Sequence, residues 1–157
     1  MTAPLLAIEN LRKVFPVRRH GLGGMFGARR HVHAVNGVSL TLGAEETFGL
    51  VGESGSGKST LGRMIARLIE PSAGAIRFDG RDWLALSGAE LRRQRRDVQM
   101  MFQNPFMSLD PRWSVERIVA EPLTAHRLIP RAQMRERVVE LLASVGLGAQ
   151  HLQRYPH

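Results

Sequence analysis

Nine consecutive residues, Gly52-Glu53-Ser54-Gly55-Ser56-Gly57-Lys58-Ser59-Thr60, hold the densest chemistry in the sequence. They fit the spacing G-x-x-x-x-G-K-[ST] of a phosphate-binding loop. Backbone N–H groups of such a loop and of the helical turn after it have no intrahelical partner, and together with the helix dipole they favour an anion. Glycines at 52, 55 and 57 let the backbone take conformations closed to residues with a Cβ and approach phosphate oxygens closely. Glu53, Ser54 and Ser56 complete the loop. Lys58 would reach the β and γ phosphates as a mobile charge. The Ser59 hydroxyl would ligate Mg²⁺, a hard ion that prefers oxygen, and Thr60 would bring a second hydroxyl near the α phosphate. The bland alternative is a glycine-rich turn that caps a helix and binds nothing.

The flanking residues decide between the two readings. Thr47-Phe48-Gly49-Leu50-Val51 is a short apolar run with β-branched and aromatic members and predicts a buried strand. Leu61, Met64, Ile65, Leu68 and Ile69 recur at helical spacing, so a helix follows the loop and should stop near Glu70, since Pro71 disfavours helix before it. Strand, glycine loop, helix is the arrangement that a phosphate site needs.

At 157 residues, with 43% hydrophobic and 23% charged residues, the chain is the size and composition of a globular domain that can bury a core. Its net charge of +8 is carried almost wholly by arginine, Lys13 and Lys58 being the only lysines. That charge lies in separate patches without interleaved aromatics, so nucleic acid is not an expected partner. With no cysteine, disulfides and thiolate metal sites are excluded. No apolar run approaches the roughly 20 residues that span a bilayer. Met1 to Leu6 lacks a basic region and a full apolar segment, so no secretory signal is expected there.

In chain order, Leu5 to Phe15 reads as a strand interrupted near Glu9-Asn10 and ended by Pro16. Residues 17 to 33 form a long basic connection, best read as a solvated hairpin loop. His31 and His33 within it make a poor metal pair without a nearby Cys or carboxylate. Val32 to Leu42 reads as a second strand, antiparallel to the first, followed by a turn over Gly43-Ala44-Glu45-Glu46. After a turn at 71–74, Ala75 to Phe78 is a short strand and Asp79-Gly80 a hairpin turn. Ser87 and Glu90 have capping-box spacing for a helix running to about Arg96, whose arginines form a solvated face. Val98 to Phe102 predicts another buried strand, leading into the loop Gln103-Asn104-Pro105. Ser114 can cap a helix from Val115 to about Ala120 or beyond, with a possible kink at Pro122. Arg131 to Val145 is the last helix, with Met134, Val138, Leu141, Leu142 and Val145 on one face and Gly146 as its cap. Gly148 to His157 has no periodicity.

Gly-Leu-Val-Gly-Glu-Ser-Gly-Ser-Gly-Lys-Ser-Thr at 49–60, Met-Phe-Gln-Asn-Pro at 101–105 and Arg-Tyr-Pro-His at 154–157 resemble the ATP-binding subunit of an ABC transporter. Within that family they look like the dipeptide and oligopeptide importers. His33 to Leu40, Leu84 to Ser87 and Ser108-Leu109-Asp110-Pro111-Arg112 support the subgroup. The resemblance implies an α/β fold with a P-loop NTPase (RecA-like) core, here incomplete. An N-terminal antiparallel β subdomain and P-loop core would cover about 1–102, and the start of a helical subdomain about 103–157. It implies ATP and Mg²⁺ as ligands, and uptake of peptides or similar small solutes driven by ATP. The implied place is the cytoplasmic face of the inner membrane. Implied partners are permease transmembrane subunits, a second ATP-binding subunit and, indirectly, a periplasmic solute-binding protein.

Carried over residue by residue, the resemblance makes Phe15 the aromatic that stacks on adenine, although a core strand position is the alternative. Gln103 becomes the glutamine near Mg²⁺ and the γ phosphate. The segment 104–121 would receive the permease, with Phe106, Met107 and Trp113 as contacts, simple core packing being the alternative for those three. Glu45 stands where the family usually has glycine, a residue often placed in a turn for positive φ, so a local change or mild destabilisation is expected there. The family continues after Tyr-Pro-His with Ser-Gly-Gly-Gln, an acidic Mg²⁺ strand and a switch histidine. The 157 residues contain none of these, so hydrolysis by them alone is expected to be weak. The alternative is a non-hydrolysing nucleotide-binding or regulatory module that docks on a permease.

Overall fold

A computed structural model of the chain describes residues 3–17, 30–104 and 108–157. Packing divides it into two compact units, Met1–Leu91 and Arg92–His157. The first unit is a four-stranded sheet, order β2-β1-β3-β4, with β1 Leu6–Val17, β2 Arg30–Leu42, β3 Ala73–Phe78 and β4 Arg81–Asp82. Every pairing in it is antiparallel. The expected first hairpin is present, with Leu6 opposite Leu42 and Val17 opposite Arg30. The expected interruption near Glu9-Asn10 is a bulge, with register shifts after Ile8 and a positive φ of 47° at Asn10.

Pro16 does not end β1, which continues to Val17 with Pro16 opposite His31. Pairing with β3 stops at Arg12, so beyond that point β1 has a free edge where a missing N–H costs no ladder bond. His31 and His33 lie on β2 rather than in a loop. The rest of the expected basic loop, residues 18–29, lies outside the described residues. Between β3 and β4, Asp79 and Gly80 both take positive φ, 48° and 72°, the signature of a type I′ turn. Glu45 has φ 60°, the conformation that a glycine would take without strain.

Both runs expected to be buried strands, 47–51 and 98–102, are unpaired extended segments. Val51 is 93% exposed and Met101 89%. A parallel strand needs neighbours hydrogen-bonded along it, and among the described residues none pairs with either run. Residues 92–102 belong to the second unit, with the helices that follow them.

The first helix, α1 Lys58–Ile65, stops five residues short of the expected end near Glu70. Arg67 takes φ 53° and turns the chain back. Its guanidinium is buried, donates to the Trp83 carbonyl and pairs with Glu70 Oε1 at 2.9 Å. Trp83 Nε1 in turn donates to Ile65 O at 2.8 Å, and its ring lies 5.3 Å from that of Phe78. The core of this unit is Ile8, Leu11, Val35, Leu61, Met64 and Ile76 together with Trp83.

Helix α2, Gly88–Gln94, spans the division between the units and runs into a 3₁₀ turn Arg95–Asp97, matching the expected helix to about Arg96. Helix α3, Val115–Ala125, contains Pro122 and is capped by Ser114, whose Oγ accepts from Arg117 N at 3.4 Å. Helix α4, Met134–Ser144, is preceded by a 3₁₀ turn and followed by Gly146 at φ 78°. Val138 and Leu142 are buried with Leu152, whereas Val145 is 70% exposed and leaves the face assigned to it. The carbonyls of Arg154 and Leu152 accept from Val115 N and Glu116 N, so the last residues cover the first turn of α3. Among the described residues no helix is long and apolar enough to cross a membrane.

Trp83 joins the end of α1 to the β3–β4 hairpin by packing and by two hydrogen bonds. Trp83→Ala is predicted to lower the stability of the first unit by about 3–5 kcal/mol, measured by native-state hydrogen exchange of the β1 and β3 amides. A loss below about 1 kcal/mol would show that the tryptophan is not the joint.

Candidate functional site

The glycine loop runs directly into α1. Gly57 is its N-cap with φ 94°, Gly55 has φ 83°, and no side chain caps the helix. The first turn carries no acidic residue. The positive end of α1 is therefore presented without an internal anion to neutralise it. A Cβ at Gly57 would collide with the Ala34 carbonyl oxygen and stand 3.4 Å from Val35 Cγ2, so the loop lies against the backbone of β2.

Lys58 folds back into the loop. Its Nζ donates to Gly52 O and Glu53 O, both at 2.6 Å, and to Ser56 Oγ at 3.2 Å. Ser56 N donates to Glu53 O at 3.2 Å and closes the turn. Three oxygens thus hold the ammonium where the loop curls, while Ser59 is exposed and Thr60 half-buried just beyond. Beside this curl is a cavity of about 250 Å³ reached by Val35, Val38, Leu50, Gly57, Lys58 and Leu61. The curled backbone, the bare helix end and the ammonium fit a phosphate chain. A hydroxyl at the first helical turn fits Mg²⁺, which takes oxygen ligands. Carbonyl oxygens that hold Lys58 here are weaker acceptors than phosphate oxygens, so the ammonium can exchange one set for the other.

Phe15 lies on β1 opposite Val32, two residues from Lys13, whose partner Val35 lines the loop cavity. Phe15 is 39% exposed. The structure therefore places it on the same hairpin that backs the loop. Gln103 lies in the second unit at an exposed bend, where Phe102, Asn104 and Ser108 share a cavity of about 450 Å³ with it. The strand expected to carry Gln103 is absent, as noted above. Phe106 and Met107 lie outside the described residues. Trp113 is half-buried, with the Arg117 guanidinium 3.9 Å from its ring centroid.

The turn before Trp113 is built by Asp110. Its carboxylate accepts from Arg112 Nε at 3.0 Å, from Arg112 Nη2 at 2.9 Å and from Arg112 N at 3.0 Å, and its carbonyl accepts from Trp113 N. The Arg112 side chain first, then its backbone N–H, hold the Asp110 carboxyl at about 2, below the ordinary 3.8, and Asp110 raises Arg112 in return. That β2 backs the loop and that Lys13 stands against Phe15 are hardly marked in the sequence. A glycine that tolerates no Cβ and a lysine two residues before an aromatic are the only traces.

The ABC transporter family matches residues 35–156 of the chain. The chain belongs to that family. It is 46% identical over 154 residues to the glutathione import ATP-binding protein of Pectobacterium atrosepticum and to that of Escherichia coli K12. The match takes in 98% of this chain and 24% of those proteins, so the chain spans about a quarter of their length. Among solved structures it resembles a dimeric ATP-binding cassette in a post-hydrolysis state bound to ADP and phosphate. The TM-score there is 0.72 and the identity 25%, over 96% of this chain and 61% of that one. A dimeric bacterial ABC transporter cassette gives a TM-score of 0.74 at the same identity and coverage. The fold is that of a P-loop ABC cassette, present here in part.

Two expectations follow from the local geometry. Gly57→Ala should push the loop off β2, because the new Cβ meets backbone that cannot yield and φ is positive. The loop amides should lose their hydrogen-exchange protection while β3 keeps its own; unchanged loop exchange would contradict the contact. Asp110, depressed in the folded chain, stabilises its turn above its unfolded value near 4, and that stability drains as pH falls through about 2. A carboxyl titration followed by NMR should give a midpoint near 2 that moves up towards 3.8 in Arg112→Ala. An unmoved midpoint would rule out the arginine as the cause.

Proposed function

We propose that the chain is the N-terminal part of the ATP-binding subunit of an ABC importer for peptides or peptide-like small solutes. Its own task in that subunit is to bind the phosphates and base of ATP. The single observation that carries this reading is the loop itself, curled around Lys58 at an uncapped helix end and braced by β2.

In this reading Lys58 leaves Gly52 O and Glu53 O for the β and γ phosphates, and Gly55, Gly57 and the first-turn amides of α1 take the remaining phosphate oxygens. Ser59 offers the hydroxyl for Mg²⁺, and Gln103 is assigned the role of second residue near the ion. Mg²⁺, when bound, supplies the counter-charge that lets the phosphate chain sit in the loop. Phe15 stacks on the base. Support for peptide-like cargo comes from the Leu84–Ser87 and Ser108–Arg112 stretches and from relatives described as glutathione importers. The partners of the reading are permease subunits, with the surface around Gln103 and Trp113 as the contact, a second ATP-binding subunit, and a solute-binding protein acting through the permease. The place is the cytoplasmic face of the cell membrane.

Hydrolysis needs water positioned in line with the γ phosphate. No carboxylate lines the loop cavity among the described residues. The 157 residues by themselves should therefore bind ATP and turn it over at background rate.

Calorimetry of Mg·ATP binding to the 157-residue chain, with phosphate release measured in parallel, tests the proposal. Lys58→Ala should weaken binding at least about tenfold, as expected for losing charge-assisted bonds, and neither protein should release phosphate above background. Equal affinity in the two proteins would overturn the phosphate role. Turnover that disappears in Lys58→Ala would overturn the claim that these residues alone do not hydrolyse ATP.

A further inference from the structure

Lys13 holds an unusual position for a lysine on a strand. Its Nζ stands 5.1 Å from the centre of the Phe15 ring and donates to the Glu70 carbonyl at 2.6 Å. Glu70 closes the turn that Arg67 makes at the end of α1. Two more bonds tie the same stretch of β1 to the residues just after it. Val14 N donates to Ser72 Oγ at 3.0 Å, and Ser72 N donates to Arg12 O at 2.8 Å. The strand segment that carries Phe15 is thus fastened to the far end of the helix whose near end carries Lys58.

An exposed lysine tip ordinarily samples many rotamers. Here the ammonium is fixed between a carbonyl and one face of an aromatic ring, and the ring remains 39% exposed. A cation over one face of a ring is held by the negative π cloud. It also draws that cloud towards itself, which leaves the opposite face less repulsive to a second electron-rich ring.

We propose that Lys13 is a positioning residue for the base of the bound nucleotide. It clamps the Phe15 ring as a one-faced stacking surface and keeps that surface at a fixed distance from the phosphate loop through the Glu70 turn. The inference rests on the reading of Phe15 given above. It assigns to Lys13 a role in recognising the purine and none in holding the phosphates.

The test compares affinities of the 157-residue chain for Mg·ATP and for inorganic tripolyphosphate in wild type, Lys13→Met, Lys13→Arg and Phe15→Ala. Lys13→Met should weaken ATP binding by about two- to fivefold, the value of an exposed cation–π contact, and leave tripolyphosphate binding unchanged. Lys13→Arg, which keeps both the charge and a donor for Glu70, should restore ATP binding. Phe15→Ala should lose roughly tenfold for ATP alone, the value of a base–aromatic stack. If Phe15→Ala loses ATP selectively and Lys13→Met does not, the lysine role is wrong and the stacking role stands. If Phe15→Ala shows no selective loss, the stacking role falls and the lysine role with it. Equal weakening of both ligands in Lys13→Met would make the lysine a fold contact only and would also overturn the proposal.

Discussion

Gly57 approaches the β2 backbone so closely that any side chain there would strike the Ala34 carbonyl. Much of the site depends on that contact. It fixes where the loop ends and α1 begins, and so fixes the direction of the helix's positive end. It also brings Lys58 within reach of Gly52 O and Glu53 O, so that the loop curls around a charge. Helix dipoles and bare amides attract anions only within the first turn, so the placement of that turn against a rigid strand is what makes the attraction usable.

The hairpin that braces the loop is held in turn by the other end of α1. Arg67 leaves the helix with a positive φ, buries its guanidinium against the Trp83 carbonyl and pairs with Glu70. Trp83 closes the circuit through Ile65. The phosphate end and the far end of one short helix are therefore both tied to the same small sheet, the first by a backbone contact and the second by a buried ring. Phe15 and Lys13 lie on the strand between them.

Much of this was legible in the sequence where local chemistry is sufficient. The loop follows from glycines and Lys58 at fixed spacing, the Asp79-Gly80 turn from two residues that tolerate positive φ, and the Ser114 cap from a hydroxyl ahead of a helical pattern. What the sequence did not show depends on partners distant along the chain. The runs 47–51 and 98–102 have the composition of buried strands, but composition cannot supply a neighbour to pair with, and both lie unpaired. Helix α1 ends early because Arg67 finds Trp83, sixteen residues further on. Leu152 is buried without any periodicity to announce it, because it packs on Val138 and Leu142 from an irregular segment.

If the loop from Gly52 to Thr60, braced by β2, is a phosphate site in its own right, a titration of the isotope-labelled chain with Mg·pyrophosphate, followed amide by amide, will show it. Shifts should concentrate at Gly55, Gly57, Lys58, Ser59 and Thr60, with smaller ones at Ala34 and Val35 where β2 supports the loop. Shifts scattered over the arginine-rich surface with the loop amides unmoved would contradict it.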